Sequence, residues 1–207
     1  MKINLSPALL LLSLSFLALA PAWADPVVLV QPNDRILIFG DSISVGKGYG
    51  YQAVQMLNQD QPNMKLTWIE HGHSGWTAKT ALTILNDVLA KKPTLVTIMF
   101  GTNDLGSGGA KGVVALKDRI RALVEPLLKA GVRVVLLTPP YMSDTTPHSK
   151  EFNRSALPRM GDEIIALGAE LNVPVFDMFT FMKQADAAGQ LIRNCFCGTE
   201  SRLRRGG

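Results

Sequence analysis

Short apolar runs alternate with longer amphipathic segments along most of this chain, and this alternation restricts the fold more than any other feature. The apolar runs are rich in Val, Ile, Leu and Phe, which is typical of strands buried on both faces. They occupy residues 35–39, 65–70, 94–100, 132–138 and 173–177. The segments between them carry apolar residues at helical spacing and occupy residues 50–59, 76–91, 112–130 and 150–171.

The alternation predicts an α/β fold. Repeated strand–helix units place helices on both faces of a five-stranded parallel sheet, which makes three layers, α/β/α. We expect the flavodoxin-like strand order 2-1-3-4-5. The clearest helical stripe is expected to pack into the core, and Gly131 is expected to end that helix. The stripe consists of Val114, Leu116, Ile120, Leu123, Val124 and Leu127.

The two ends of the chain depart from this pattern. Residues 1–24 combine a basic start, an apolar stretch and a final Ala-Trp-Ala, which is typical of a cleaved secretory signal peptide. We therefore expect export, to the periplasm or the medium, with no transmembrane segment after the signal peptide. Residues 25–34 are expected to form a linker, residues 35–190 the folded domain, and residues 191–207 an anomalous basic tail.

Most of the net positive charge lies in that tail. The formal net charge is +4, but the folded domain is close to neutral once the signal peptide and the tail are set aside. A nucleic-acid-binding domain needs a basic face, so we expect no nucleic-acid partner. Cys195 and Cys197 are too close for an unstrained disulfide and too few for a zinc site. The sequence indicates no metal and no cofactor.

Polar and glycine-rich sequences follow the first three predicted strands, at the edge where open α/β sheets bind ligands. A serine hydroxyl becomes an effective nucleophile when it has an adjacent base and donors for the developing oxyanion. We expect Ser42 to be the nucleophile, and its own amide, the amide of Gly75 and the side-chain amide of Asn103 to be the donors. The sequences are Gly-Asp-Ser-Ile at 40–43, Ser-Gly at 74–75 and Gly-Thr-Asn-Asp at 101–104.

Together, these three sequences resemble the first three blocks of the SGNH hydrolases, also called the GDSL esterases and lipases. The resemblance covers about residues 35–189, and it implies a three-layer fold and the hydrolysis of a small-molecule carboxylic ester. By position, Ser42 matches the family's nucleophile, and Gly75 and Asn103 match its oxyanion donors. Glu70 stands where the family's second block usually begins with Asn.

The family's Asp-x-x-His block, which supplies the base after the fifth strand and a helix, is missing. Residues 191–207 contain neither Asp nor His, and a shifted reading frame restores an Asp but not the His. We therefore expect the chain as given to hydrolyse esters only at the residual level of oxyanion donors and binding, ~10³–10⁴ over water. Asp144 with His148, in the loop after the fourth strand, is the alternative base pair, ahead of His71 and His73.

Two other functions fit parts of the sequence. Residues 40–47 approach a phosphate-binding P-loop, but five residues separate the glycines where that motif has four, and no Ser or Thr follows Lys47. The second alternative is a non-catalytic exported protein that binds acyl or acetylated ligands on the same scaffold. An active-site serine probe distinguishes this non-catalytic binder from an esterase, because it labels Ser42 in a catalyst and leaves it unlabelled in a binder.

Overall fold

The computed structural model describes residues 29–104, 109–142 and 154–189. Within these ranges it contains a five-stranded parallel sheet in the order β2-β1-β3-β4-β5, which confirms the predicted topology. The strands are β1 (Arg35–Gly40), β2 (Thr67–Gly72), β3 (Leu95–Met99), β4 (Arg133–Leu137) and β5 (Val175–Phe176). The predicted signal peptide, residues 25–28 of the predicted linker and the basic tail lie outside the described residues.

Helices connect the strands and cover both faces of the sheet. They are α1 (Tyr49–Asp60), α2 (Ala78–Ala81), α3 (Leu85–Ala90), α4 (Gly109–Lys129), α5 (Leu157–Leu171) and α6 (Met178–Ala187). The segment predicted as helical over 76–91 is two short helices joined by a 3-10 turn at Leu82–Ile84. The Thr83 hydroxyl there donates to the Thr80 carbonyl at 2.7 Å. Such side-chain bonds compete with the helical hydrogen-bond pattern.

The side chains of β1 alternate between two cores. Leu37 and Phe39 pack in the core beneath α2 to α5, whereas Ile36 and Ile38 pack in the core beneath α1 and α6. All residues of β1 after Arg35 are buried. The prediction that every strand is buried on both faces is wrong for β2 and β5, because these are the two edge strands and are only partly covered.

The stripe predicted on α4 is correct except at its first position. Val114 is 57% exposed, and Val113 is buried in its place. The reason is the helical period, since residue 113 lies one turn before Leu116 and shares its face, whereas residue 114 is rotated away. Gly131 ends this helix as predicted: its φ is +76°, and its amide donates to the Leu128 carbonyl at 2.9 Å.

Three strands end level with one another at one edge of the sheet. Gly40, the last residue of β1, pairs with Gly72 of β2 on one side and with Met99 of β3 on the other. The three sequences that follow these strands therefore leave the sheet side by side. We call this the carboxyl edge.

Candidate active site at the carboxyl edge

Ser42 begins a 3-10 turn, Ser42–Ser44, directly after β1, an interior strand that lies between β2 and β3. Asp41 caps this turn, since its Oδ1 accepts a hydrogen bond from the Ile43 amide at 3.0 Å. Ser44 is buried, and its hydroxyl lies 3.2 Å from the Tyr49 hydroxyl. Ser42 is exposed. The turn is thus anchored on both sides of a serine that is accessible to solvent.

The end of β2 packs directly against this turn. A Cβ at Gly72 would lie 2.5 Å from the carbonyl carbon of Ser44, so the contact requires glycine. The following residue, His73, donates its backbone amide to the Gly40 carbonyl at 2.9 Å. These contacts fix the start of the segment that follows β2, residues 73–78, relative to the turn that carries Ser42; we call this segment the second loop.

Glu70, which departs from the usual family pattern, has a structural partner of its own. Its carboxylate accepts a hydrogen bond from the amide of Gly46 at 2.6 Å. Gly46 belongs to the loop that follows Ser42, and this bond spans from β2 to that loop. Glu70 therefore holds the far side of the Ser42 loop.

Gly75 and Asn103 lie on loops that are hydrogen-bonded to each other. Gly75 has a φ of +76°, which disfavours any residue with a side chain, and an added Cβ would meet no atom within 4 Å. The next residue, Trp76, accepts a hydrogen bond at its carbonyl from Asn103 Nδ2 at 2.9 Å. A side-chain amide has two N–H donors, and this bond uses one of them. The structure brings these two loops to either side of the Ser42 turn.

Asp104 contacts the same loop at its far end. Its side chain is fully buried, and both oxygens accept from the Ala78 amide, at 3.2 and 3.1 Å. Arg119 of α4 donates from Nη1 to Oδ1 at 3.2 Å. Burial raises the pKa of Asp104, while the Ala78 amide and the charge of Arg119 oppose that rise. Sequence reasoning assigned no role to Asp104 or Arg119, although Asp104 adjoins Asn103 in the third block.

Asp41 is a second buried carboxyl at this edge and lies next to Ser42. It is 1% exposed, and its Oδ2 has no hydrogen-bond partner in the described part of the chain. Burial raises the pKa of Asp41 to about 6, although hydrogen bonds from the Ile43 amide and the Thr102 hydroxyl lower it. The candidate site therefore contains an acid whose charged form is poorly accommodated.

Two histidines form part of an aromatic row that supports the second loop. The ring centroids of Phe39 and His71 are 5.5 Å apart, those of His71 and His73 4.9 Å, and those of His73 and Trp76 3.8 Å, with the last pair stacked. Burial lowers the pKa of both imidazoles. Both rings are therefore held by packing and favour the neutral form.

Other predictions about the site fall outside the described residues or concern an absence. Asp144 and His148 lie outside them. Among the residues that are described, no group of His, Cys, Asp and Glu side chains is arranged to hold a metal ion. No helix in the same ranges is both long and apolar enough to cross a membrane.

The chain matches a known protein family over most of its length. The model of the GDSL-like lipase/acylhydrolase family matches residues 38–192, which include the Ser42 turn and both flanking loops. The chain belongs to this family. The resemblance drawn from the three short sequence blocks is thereby confirmed at the level of the family.

Two curated relatives are similar to this chain over part of their length. A GDSL esterase/lipase of Arabidopsis thaliana is 27% identical over 188 residues, which cover 78% of this chain and 56% of the relative. An isoamyl acetate-hydrolyzing esterase of Saccharomyces cerevisiae is 27% identical over 118 residues, 51% of this chain and 50% of the relative. The chain thus spans about half the length of the curated relatives it matches.

Solved structures share the architecture. A lipase/acylhydrolase from Enterococcus faecalis superimposes with a TM-score of 0.64 at 25% identity, over 79% of this chain and 85% of that one. An acetylxylan esterase from Geobacillus stearothermophilus gives a TM-score of 0.67 at 21% identity, over 79% and 84%. Both confirm the three-layer fold of the family.

Proposed function

We propose that the protein is a carboxylic ester hydrolase in which Ser42 is the nucleophile. The observation that carries the proposal is the accessible Ser42 at the carboxyl end of β1, flanked by two loops that are hydrogen-bonded to each other. Membership of a lipase and acylhydrolase family supports it. The two relatives, from a plant and a yeast, are both named as esterases.

In this mechanism the hydroxyl oxygen of Ser42 attacks the carbonyl carbon of the ester. The oxyanion that forms accepts hydrogen bonds from the amides of Ser42 and Gly75 and from the second N–H of Asn103 Nδ2. Collapse of the tetrahedral intermediate expels the alcohol and leaves an acyl-enzyme, which water hydrolyses. Because the Trp76 carbonyl already holds Asn103, little reorganisation is needed as the charge develops.

The proton transfers in this mechanism need a base. In the acetylxylan esterase named above, catalytic mutants have been made at a serine, an aspartate and a histidine. Residues 191–207 of this chain contain neither Asp nor His, so the proposal assigns the chain as given only residual turnover. The alternative assigns the base to His148, oriented by Asp144.

Acetyl esters are the substrates to test first. The yeast relative and the Geobacillus enzyme are named for isoamyl acetate and acetylxylan. An aryl acetate carries the same acyl group and reports its own hydrolysis by absorbance. The proposal also includes export through residues 1–24, which predicts a mature chain that begins at Asp25 in N-terminal sequencing.

The test compares aryl acetate hydrolysis by the chain as given with that by a form extended by an Asp-x-x-His segment from a family member. We expect the extension to raise turnover by several orders of magnitude, because the loss of the base alone costs nearly as much as the loss of the whole triad. Ser42→Ala should abolish the gain. Ser44→Ala is the matched control, because Ser44 lies in the same turn but is buried against Tyr49.

The other outcomes assign the base differently, contradict the proposal or favour the non-catalytic alternative. Robust hydrolysis by the unextended chain that disappears in His148→Ala assigns the base to His148. A gain that survives Ser42→Ala contradicts the proposal. If neither form hydrolyses esters but both bind acetylated ligands, the non-catalytic alternative is correct.

A further inference from the structure

Two adjacent residues of the segment that follows β3, residues 100–104, hold the second loop at two points. We call this segment the third loop. Asn103 donates to the carbonyl of Trp76, and Asp104 accepts from the amide of Ala78. The two anchoring points enclose one residue, Thr77, and lie directly after Gly75. Both contacts therefore restrict the segment that follows Gly75 relative to the third loop.

The contact made by Asp104 depends on its charge. Its carboxylate is fully buried and is paired with Arg119, whose side chain is 31% exposed and reaches in from α4. A buried carboxylate without a counter-charge takes up a proton in preference to remaining charged. A protonated Asp104 is a weaker acceptor for the Ala78 amide. Arg119 thus maintains the hydrogen bond between Asp104 and the Ala78 amide. The hydrogen bonds described for Arg119 itself go to Asp104 and not to the second loop.

We propose that Asp104 and Arg119 form a positioning pair that holds Gly75 at the distance from Asn103 that a tetrahedral oxyanion requires. The inference rests on the proposed function, since it concerns the oxyanion donors. It assigns a role to an arginine outside all three sequence blocks. Neither residue contacts the substrate in this account, because both act through the Ala78 anchor.

The helix that carries Arg119 also carries its control. Arg121 lies on α4, is 33% exposed and is paired with Glu170 and Glu125. Both arginines therefore lie on the same helix, are similarly exposed and are paired with acidic side chains. Only Arg119 is paired with a residue of the candidate site, so a difference between their variants measures the effect on the site.

The experiment measures the affinity of the full chain for phenylboronic acid, which forms a tetrahedral adduct with a serine hydroxyl and places a boronate oxygen among the oxyanion donors. ¹¹B NMR distinguishes the tetrahedral adduct from free trigonal boronic acid. We expect Arg119→Met to weaken binding about ten- to a hundredfold, because small displacements of site groups have effects of that order. Arg121→Met should change it less than about twofold, and Arg119→Lys should retain most of the affinity.

A double-mutant cycle separates positioning from general destabilisation. If Arg119 acts through the oxyanion donors, its effect should largely disappear in an Asn103→Ala background, because coupled residues are non-additive. Thermal unfolding of each variant serves as the stability measure. Equal effects of Arg119→Met and Arg121→Met, or full additivity with Asn103→Ala, overturn the inference and leave the proposed function standing. Tetrahedral binding that survives Ser42→Ala overturns both.

Discussion

Two buried aspartates lie at the two ends of β1, and their hydrogen-bonding environments differ. Asp34 precedes β1 and is 3% exposed, and Asp41 follows it and is 1% exposed. Asp34 accepts hydrogen bonds from the Gln31 amide, the Thr94 hydroxyl and Arg133. Asp41 accepts hydrogen bonds from the Ile43 amide and the Thr102 hydroxyl, but its Oδ2 has no partner in the described ranges.

The pKa values of the two carboxyls follow from these partners. Although burial raises the pKa of Asp34, its hydrogen bonds and the charge of Arg133 outweigh burial and hold that pKa below its ordinary value. At Asp41 burial prevails and raises the pKa to about 6. The amino end of β1 thus satisfies its buried charge, while the carboxyl edge, where Ser42 lies, contains a poorly satisfied one. Such uncompensated groups cluster at functional sites.

The largest expected effect is on catalysis at the carboxyl edge. Asn103→Ala should lower the rate of aryl acetate hydrolysis roughly a hundred- to a thousandfold, because one oxyanion donor supplies about 3–4 kcal/mol in the transition state. Asn58→Ala is the matched control, since Asn58 also donates Nδ2 to a backbone carbonyl, that of Leu66, but lies on α1. That variant should lose stability and keep its rate. Equal rates for the two variants would remove Asn103 from the site.

The next effect is on the pH dependence of stability. The pKa of Asp41 is about 6 in the folded chain against an ordinary value of 3.8, so the folded state binds a proton more tightly than the unfolded state. The resulting stability is fully present below about pH 4 and is lost as the pH rises through about 6. A difference of about two pKa units corresponds to about 3 kcal/mol.

Asp41→Asn cannot ionise and should therefore gain stability relative to the parent protein as the pH rises from about 4 to about 7. The gain should approach 3 kcal/mol in the free energy of unfolding. Urea denaturation at intervals of one pH unit measures it. A difference that stays constant across this range would show that Asp41 is ionised as readily in the folded chain as in the unfolded one.

Asp34→Asn should act in the opposite direction at the other end of β1. Because the folded pKa of Asp34 is lowered, its stabilising contribution is present above the unfolded pKa and is lost as the pH falls through the folded one. The variant should lose about 1–3 kcal/mol near pH 7, since Arg133 and Thr94 lose a charged partner. The same urea series checks this, and a loss that persists unchanged at acid pH would contradict it.

The smallest expected effect is the difference between alanine variants of two glycines that share one backbone conformation. Gly75 and Gly131 both have φ of +76°, and an added Cβ would meet no atom within 4 Å at either position. Gly75→Ala and Gly131→Ala should each cost about 1–2 kcal/mol of stability from left-handed backbone strain. Only Gly75→Ala should also lower the hydrolysis rate, because only Gly75 lies at the carboxyl edge. Matched rates would show that the Gly75 loop takes no part in catalysis.

The periodicity of the sequence predicts the scaffold well. Five apolar runs predict the five strands, and the helical segments between them predict that the strands are parallel. The order 2-1-3-4-5, expected as the flavodoxin-like arrangement, is found. The error at Val114 is one of phase that the helical period itself corrects, whereas the partial burial of the edge strands β2 and β5 depends on which neighbours cover them. Local pattern does not contain that information.

The candidate site is predictable only where its residues adjoin strand ends. Ser42, Gly75 and Asn103 follow consecutive strands, so their proximity follows from parallel topology. Arg119 is 15 residues from Asp104 and meets it only because α4 packs over the third loop. The lack of a partner for Asp41 Oδ2 among the described residues is likewise a property of the packed chain. These features depend on tertiary contacts and leave no signal in the spacing of residues.

The claim that the carboxyl edge is an esterase site is tested most directly by identifying the residue to which a fluorophosphonate attaches. After prolonged incubation, peptide mass spectrometry should locate the adduct on Ser42. Ser42→Ala should abolish the adduct, Ser44→Ala should retain it, and Asn103→Ala should slow its formation about a hundredfold or more. An adduct on another residue, or no adduct on Ser42, would contradict the claim that the carboxyl edge of this sheet is an esterase site.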